Sequence, residues 1–215
     1  MNKIIRKNII FDMDGTLLDS LSVWADSDRE FINGHGYDYD SKHSLAMKKM
    51  HFDSACDYLV KTFSLPYSSQ EVGQRILEIV EKRYLGDIPL KDGAEKFLKA
   101  ATSAGIKMCV ATSNKKKLAE DALKARGIMQ YMEFVLTSDE VGCGKESPEI
   151  FLKAAELLGA KQEEVTVFED SIHAVLSAKE AGFNVIGVYD PLCEEEFSEI
   201  EKFADITIKS FEELL

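Results

Sequence analysis

The first strong pattern in the chain is "NIIFDMD", residues 8–14, where an apolar run passes directly into acids. It reads as a buried strand that ends in a polar loop. From Ser20 to about Tyr84 the period changes to helical. "SVWADSDREFINGHG" is amphipathic at 3.6-residue spacing. "SKHSLAMKKMHFDSACDYLVKTF" continues as helix, in one piece or two, and "PYSSQEVGQRILEIVEKRYLGD" forms a third stretch with Ser69 as its N-cap. No strand pattern interrupts this block.

After "GDIPLKDG" the period alternates. Helices are predicted over "GAEKFLKAATSAG", "KKLAEDALKARGI", "SPEIFLKAAELLGA" and "IHAVLSAKEAG". Between them lie the strands "IKMCVATSN", "EFVLTSDE", "EVTVFEDS" and "NVIGVYD", then a last short strand, "ADITIKS", and a terminal helical turn, "FEELL". Strands alternating with helices of this length predict right-handed βαβ units and a parallel sheet. The aliphatic cores "MCVA", "FVL", "VTVF" and "VIGV" suit strands covered on both faces. The expected organisation is an α/β core of residues 1–18 plus 88–215, with helices on both faces of the sheet. A small all-helical segment, 19–87, is inserted after the first strand.

Composition narrows the choice of partners. The net charge of −12 argues against a nucleic-acid or anionic-membrane surface, which needs clustered Lys and Arg. No apolar run approaches the roughly 20 residues of a membrane span. The start of the chain, "MNKIIRKNIIFDMDG", lacks a signal peptide's apolar centre, so a cytoplasmic protein is expected. The four cysteines, at 56, 109, 143 and 193, show no metal-knuckle spacing and read as free thiols.

In open parallel sheets ligands bind beyond the carboxyl ends of the strands. Asp12 and Asp14 follow the first strand, and Thr112, Ser113 and Asn114 follow "MCVA". Gly142, Gly144 and Lys145 lie after the "EFVLTSDE" strand. Glu169, Asp170 and Ser171 follow "VTVF". Any one of these is an ordinary turn or cap residue. Gathered at one sheet edge, Asp12, Asp14, Glu169 and Asp170 would repel one another, and a hard divalent cation with oxygen ligands relieves that cost.

"FDMDGTLLDS" resembles the first motif, DxDGT, of the haloacid dehalogenase superfamily. "VATSN" resembles its second motif, "GKESPEIF" its third, and "VFEDS" its fourth. Lys145 and Pro148 of the third motif stand, while Glu146 and Ser147 depart from its GKPxP form. The four motifs occur in order, each at a strand end. The resemblance implies a Rossmann-like core with a C1-type helical cap, in the subfamily of β-phosphoglucomutase and phosphoglycolate phosphatase. It implies an Mg²⁺-dependent phosphatase, a monomer, acting on a small phosphorylated metabolite.

The roles it implies are specific. Asp12 is the nucleophile that forms an aspartyl phosphate, and Asp14 the general acid and base, also giving its backbone carbonyl to the metal. Glu169 and Asp170 are metal ligands with Asp12. Thr112 bonds a phosphoryl oxygen, and Lys145 neutralises the nucleophile and the transferring group. Ser113, Asn114, Trp24 and Lys48 are candidate substrate contacts. The acid at position 14 points to phosphate monoesters rather than to dehalogenation.

The phosphosugar mutases of the subfamily form the alternative. The position of their cap histidine holds Trp24 here, and no arginine lies between Arg29 and Arg75 to grip a second phosphate, with Lys48 only a loose substitute. A phosphatase is therefore preferred. A non-catalytic binding protein on the same fold is a third reading, opposed by the intact Asp12, Asp14, Lys145 and Asp170.

Overall fold

The computed structural model describes residues 5–47, 50, 52–86 and 88–215. The chain divides into two compact units, Met1–Leu21 with Ile88–Leu215, and Ser22–Asp87.

The first unit is built on a six-stranded parallel sheet in the order β3-β2-β1-β4-β5-β6. Its strands are β1 (Asn8–Phe11), β2 (Lys107–Thr112), β3 (Val135–Thr137), β4 (Val165–Glu169), β5 (Asn184–Val188) and β6 (Ile206–Ile208). The second unit holds α1 (Val23–Gly34), α2 (Ser41–Met47), α3 (Phe52–Phe63) and α4 (Ser69–Leu85). The remaining helices connect the strands: α5 (Ala94–Ser103), α6 (Lys116–Ala125), α7 (Ser138–Val141), α8 (Glu149–Leu158), α9 (Ile172–Glu180) and α10 (Glu194–Phe203). A turn of 3-10 helix, Phe211–Leu214, ends the chain.

Alternation along each strand sorts the core. Ile10 of β1 and Val167 of β4 join Phe151, Ala154, Val175 and Phe183 in a cluster under α8 and α9. Phe11 and Phe168, one residue further on, point to the other face. There they meet Phe97 of α5 and Phe211 of the terminal turn, with ring centroids 4.9–6.3 Å apart. The sheet is thus covered on both faces, which is why its strands are predominantly apolar.

The helical unit begins at Ser22 rather than at residue 19, and two element boundaries differ from the sequence reading because of capping boxes. The cap of α4 is Ser68 rather than Ser69, because Ser68 and Glu71 form a reciprocal capping box. β3 stops at Thr137, because Thr137 and Glu140 form the same device and turn Ser138–Val141 into helix. The helical turn leads into the loop that carries Lys145.

Candidate active site

Register delivers the acids to one level. Phe11 pairs with Phe168 on one side and with Val110 on the other. One residue further on, Asp12 lies beside Glu169, and its N–H donates to the Phe168 carbonyl at 2.9 Å. Neighbouring strands are only about 4.8 Å apart, so strand-end side chains at one level converge. Oxygens of Asp12, Glu169 and Asp170 all lie within 4.8 Å of one another.

Lys145 enters from the α7–α8 loop. Its Nζ donates to Asp12 Oδ1, and to Glu169 Oε2 at 3.1 Å. The Ser177 hydroxyl of α9 donates to the Lys145 carbonyl at 2.6 Å and holds the loop from behind. Asp12, Lys145, Glu169 and Asp170 are all buried.

The charges are unbalanced. Burial alone would lower the Lys145 pKa, but Asp12 and Glu169 outweigh it and hold the ammonium above its ordinary range. Burial and then Asp12 push the Glu169 carboxyl well above the usual carboxylate range, against the pull of Lys145. The same two causes push Asp170 up to about 8. One ammonium does not compensate three buried carboxylates, and the donor set is wholly hard oxygen. These residues fit a hard divalent cation.

Backbone geometry makes room for the arrangement. Gly15 has φ +84°, and a Cβ built there would overlap Asp170 Oδ2 and sit 2.8 Å from its Cγ. The glycine of the first motif is therefore required twice, for its left-handed conformation and for the close approach. Next to it, the buried Thr16 donates its hydroxyl to Asp170 Oδ1 at 3.1 Å.

Asp14 is separate from the Asp12, Glu169 and Asp170 cluster. Its carboxylate accepts from the Ser20 hydroxyl at 2.7 Å and from Asn114 Nδ2 at 3.3 Å, so its side chain is not among the clustered ligands. Thr112 is buried, and its hydroxyl accepts from the Asn114 N–H at 3.0 Å. Ser113 is exposed, 3.2 Å from the Ser138 hydroxyl. A cavity of about 430 Å³ opens on this edge, lined by Asp12, Asp14, Ser113, Lys145, Glu169 and Asp170 among others.

The structure thus brings together Asp12, Asp14, Ser113, Asn114, Thr112, Lys145, Glu169 and Asp170. Trp24 belongs to the helical unit, where it packs edge-on to Phe52 at 5.6 Å and stays 41% exposed. Lys48 lies outside the described residues. Sequence reasoning missed Thr16, Ser20 and Ser177 as partners of the site. Thr16 and Ser20 stand inside "DGTLLDS" and were open to notice, but Ser177 is an unremarkable helix residue until the fold brings it to Lys145.

Residues 9–188 match the family profile described as haloacid dehalogenase-like hydrolase. The chain is 28% identical over 211 residues to the validoxylamine A 7'-phosphate phosphatase of Streptomyces hygroscopicus subsp. limoneus, covering 97% of this chain and 95% of that one. It is 27% identical over 181 residues to the bifunctional riboflavin kinase/FMN phosphatase of Arabidopsis thaliana. That match covers 84% of this chain and spans 48% of the longer protein. Among solved structures, one from Thermotoga maritima, provisionally named a β-phosphoglucomutase, superposes with a TM-score of 0.87 at 27% identity, covering 97% and 96% of the two chains. With more than half its length matched by the profile, the chain belongs to the haloacid dehalogenase-like hydrolases.

Proposed function

We propose that this hydrolase is a phosphatase of small phosphorylated metabolites that works through an aspartyl phosphate on Asp12. The observation that carries the reading is the meeting of Asp12 with Lys145, Glu169 and Asp170 at the mouth of a cavity that Asp14 also lines. The names of the relatives, which act on phosphate esters, support it.

The chemistry follows from the chain's own groups. Asp12 attacks phosphorus, forming an O–P bond as the bond to the leaving oxygen breaks. Asp14 gives that oxygen a proton and remains in place as the carboxylate. Water then attacks the aspartyl phosphate, Asp14 takes the water's proton, and Asp12 is released with inorganic phosphate. Lys145 donates to Asp12 and offers positive charge to the phosphoryl oxygens. Thr112, Ser113 and Asn114 offer hydroxyl and amide groups to the same oxygens. Mg²⁺, held by Asp12, Asp170 and Glu169 with the Asp14 carbonyl, supplies Lewis-acid neutralisation of phosphoryl charge when bound.

The proposal includes residues 19–87 as a substrate-selecting cap, with Trp24 and Lys48 among its candidate contacts, and a monomer working in the cytoplasm. Among the described residues no helix is long and apolar enough to cross a membrane.

The test is turnover of p-nitrophenyl phosphate with and without Mg²⁺. Metal-dependent release of phosphate, lost in Asp12→Asn, is the expected result. Absence of turnover in the wild type, or an Asp12→Asn variant as active as wild type, sinks the reading. Conversion of β-glucose 1-phosphate with a bisphosphate primer to glucose 6-phosphate, rather than to free sugar, replaces hydrolysis by the mutase reaction.

A further inference from the structure

The cavity extends past the reacting groups, and its outer wall has a definite electrostatic character. Beyond Asp12, Asp14, Glu169 and Asp170 it is lined by two more acids, Glu146 and Glu196. Glu146 stands in the third motif where the family form has proline. Its carboxylate lies back over Gly144, where a Cβ would sit 2.8 Å from Glu146 Cδ. Glu196 projects from the first turn of α10, half-buried. Neither Glu146 nor Glu196 has a hydrogen-bond or ion-pair partner among the described residues, so both carboxylates are available to a ligand.

Positive charge on this wall is scarce. Among the described residues lining the cavity, Lys145 is the one lysine or arginine, and its ammonium is already engaged by Asp12 and Glu169. Six carboxylates face one ammonium, and a divalent cation leaves the outer wall acidic. The exposed His173 adds ring nitrogens, and Cys193 and Leu21 add a less polar patch. A volume of about 430 Å³ is within the range for a small monophosphate.

We propose that Glu146 and Glu196 select the leaving group: phosphate monoesters of uncharged or amine-bearing hydroxylated compounds enter, and those carrying a second phosphate or a carboxylate are repelled. The selection rests on the phosphatase reading above and names its substrate class. Hydroxyls and ammonium groups donate to the two free carboxylates. A second anion meets like charge, with Lys145 the one lysine or arginine among the described residues lining the cavity. The same wall disfavours a bisphosphate intermediate.

The experiment uses competition with p-nitrophenyl phosphate, so that it reads binding even of compounds that turn over slowly. Sorbitol 6-phosphate and 6-phosphogluconate share a six-carbon chain and differ at C1, alcohol against carboxylate. Wild type is expected to be inhibited by sorbitol 6-phosphate at a concentration at least about tenfold lower. Glucosamine 6-phosphate is expected to compete at least as well as glucose 6-phosphate. In the double variant Glu146→Gln, Glu196→Gln the first gap shrinks about tenfold. Raising the salt shrinks it in wild type, because partly exposed charges are screened. Equal or equally absent inhibition by the C1 pair in wild type, or a gap unchanged in the double variant, overturns the proposal. Loss of metal-dependent p-nitrophenyl phosphate turnover in wild type is a different result, and it overturns the phosphatase reading itself.

Discussion

Asp170 is positioned by two residues of the first loop. Gly15 leaves space for its carboxylate, and the Thr16 hydroxyl donates to Oδ1 from a fully buried position. A partner of this kind orients a ligand rather than binding the ion itself, and losing it typically weakens metal affinity about 10–100-fold. Thr16→Val keeps the shape and removes the donor. It is expected to weaken divalent-cation binding, read by calorimetric titration, within that range, and to raise the Mg²⁺ needed for half-maximal turnover to the same extent. Unchanged affinity would mean that Gly15 and the strand end alone orient Asp170. Asp14 shows the complementary arrangement, since its carboxylate accepts from Ser20 and Asn114 and is not part of the Asp12, Glu169 and Asp170 cluster, as the proton carrier proposed above would need.

At the scale of a helix, α1 carries an acid that its packing does not favour. Burial pushes the Asp28 carboxyl from 3.8 up to about 7. The groups around it are unhelpful to a negative charge: Tyr39 and Cys56 are both pushed upward, each first by its own burial and then in part by Asp28. The folded unit keeps the proton up to about pH 7, whereas the unfolded chain releases it near 3.8. Folded protein therefore binds more protons across that window, and stability of the helical unit falls as pH rises through it, levelling off above about 7. Trp24 is the single tryptophan of the chain and belongs to this unit, so its fluorescence follows the unfolding. Denaturant midpoints for wild type are expected to drop from pH 4 to pH 7.5, and Asp28→Asn to flatten that slope. A slope unchanged in the variant would assign the pH dependence to other acids.

Over the whole molecule, distant stretches of chain are tied by a buried ion pair. Lys91 follows the return of the chain from the helical unit, and its Nζ meets Asp190 Oδ2 at 2.9 Å, with both side chains shielded from solvent. Asp190 also caps the turn after β5 by accepting from the Leu192 N–H at 2.8 Å, and that turn leads to Cys193 and Glu196 at the cavity. Removing one partner of such a pair leaves an uncompensated charge, at a cost of about 3–5 kcal/mol. Asp190→Ala is expected to lose stability on that scale in denaturant unfolding followed by circular dichroism. Lys91→Met with Asp190→Leu should recover much of it. A loss in Asp190→Ala below about 1 kcal/mol would show that water solvates Lys91 once its partner is removed, and that the pair contributes like an exposed one.

How far the sequence could be read depended on distance along the chain. Apolar strands ending in Asp12, Thr112 and Glu169 declare themselves through period and burial, because a strand between two helical layers must be apolar along its length and polar where it leaves the sheet. Parallel sense follows from the alternation of strands with helices, whereas the strand order, β3-β2-β1-β4-β5-β6, was decided by the tertiary structure. The capping boxes at Ser68 and Thr137 were equally local, yet β-like composition around "FVLTS" concealed the second. The motif acids and Lys145 were therefore legible from sequence by itself, and with them the expectation of a cation. What depended on tertiary structure was every partner brought from afar: Thr16 on Asp170 across 154 residues, Asn114 on Asp14 across 100, and Ser177 behind Lys145 across 32. Only the fold placed the free carboxylates of Glu146 and Glu196 on one cavity wall, since convergence of side chains from separate loops follows from register and packing and leaves no mark in local periodicity.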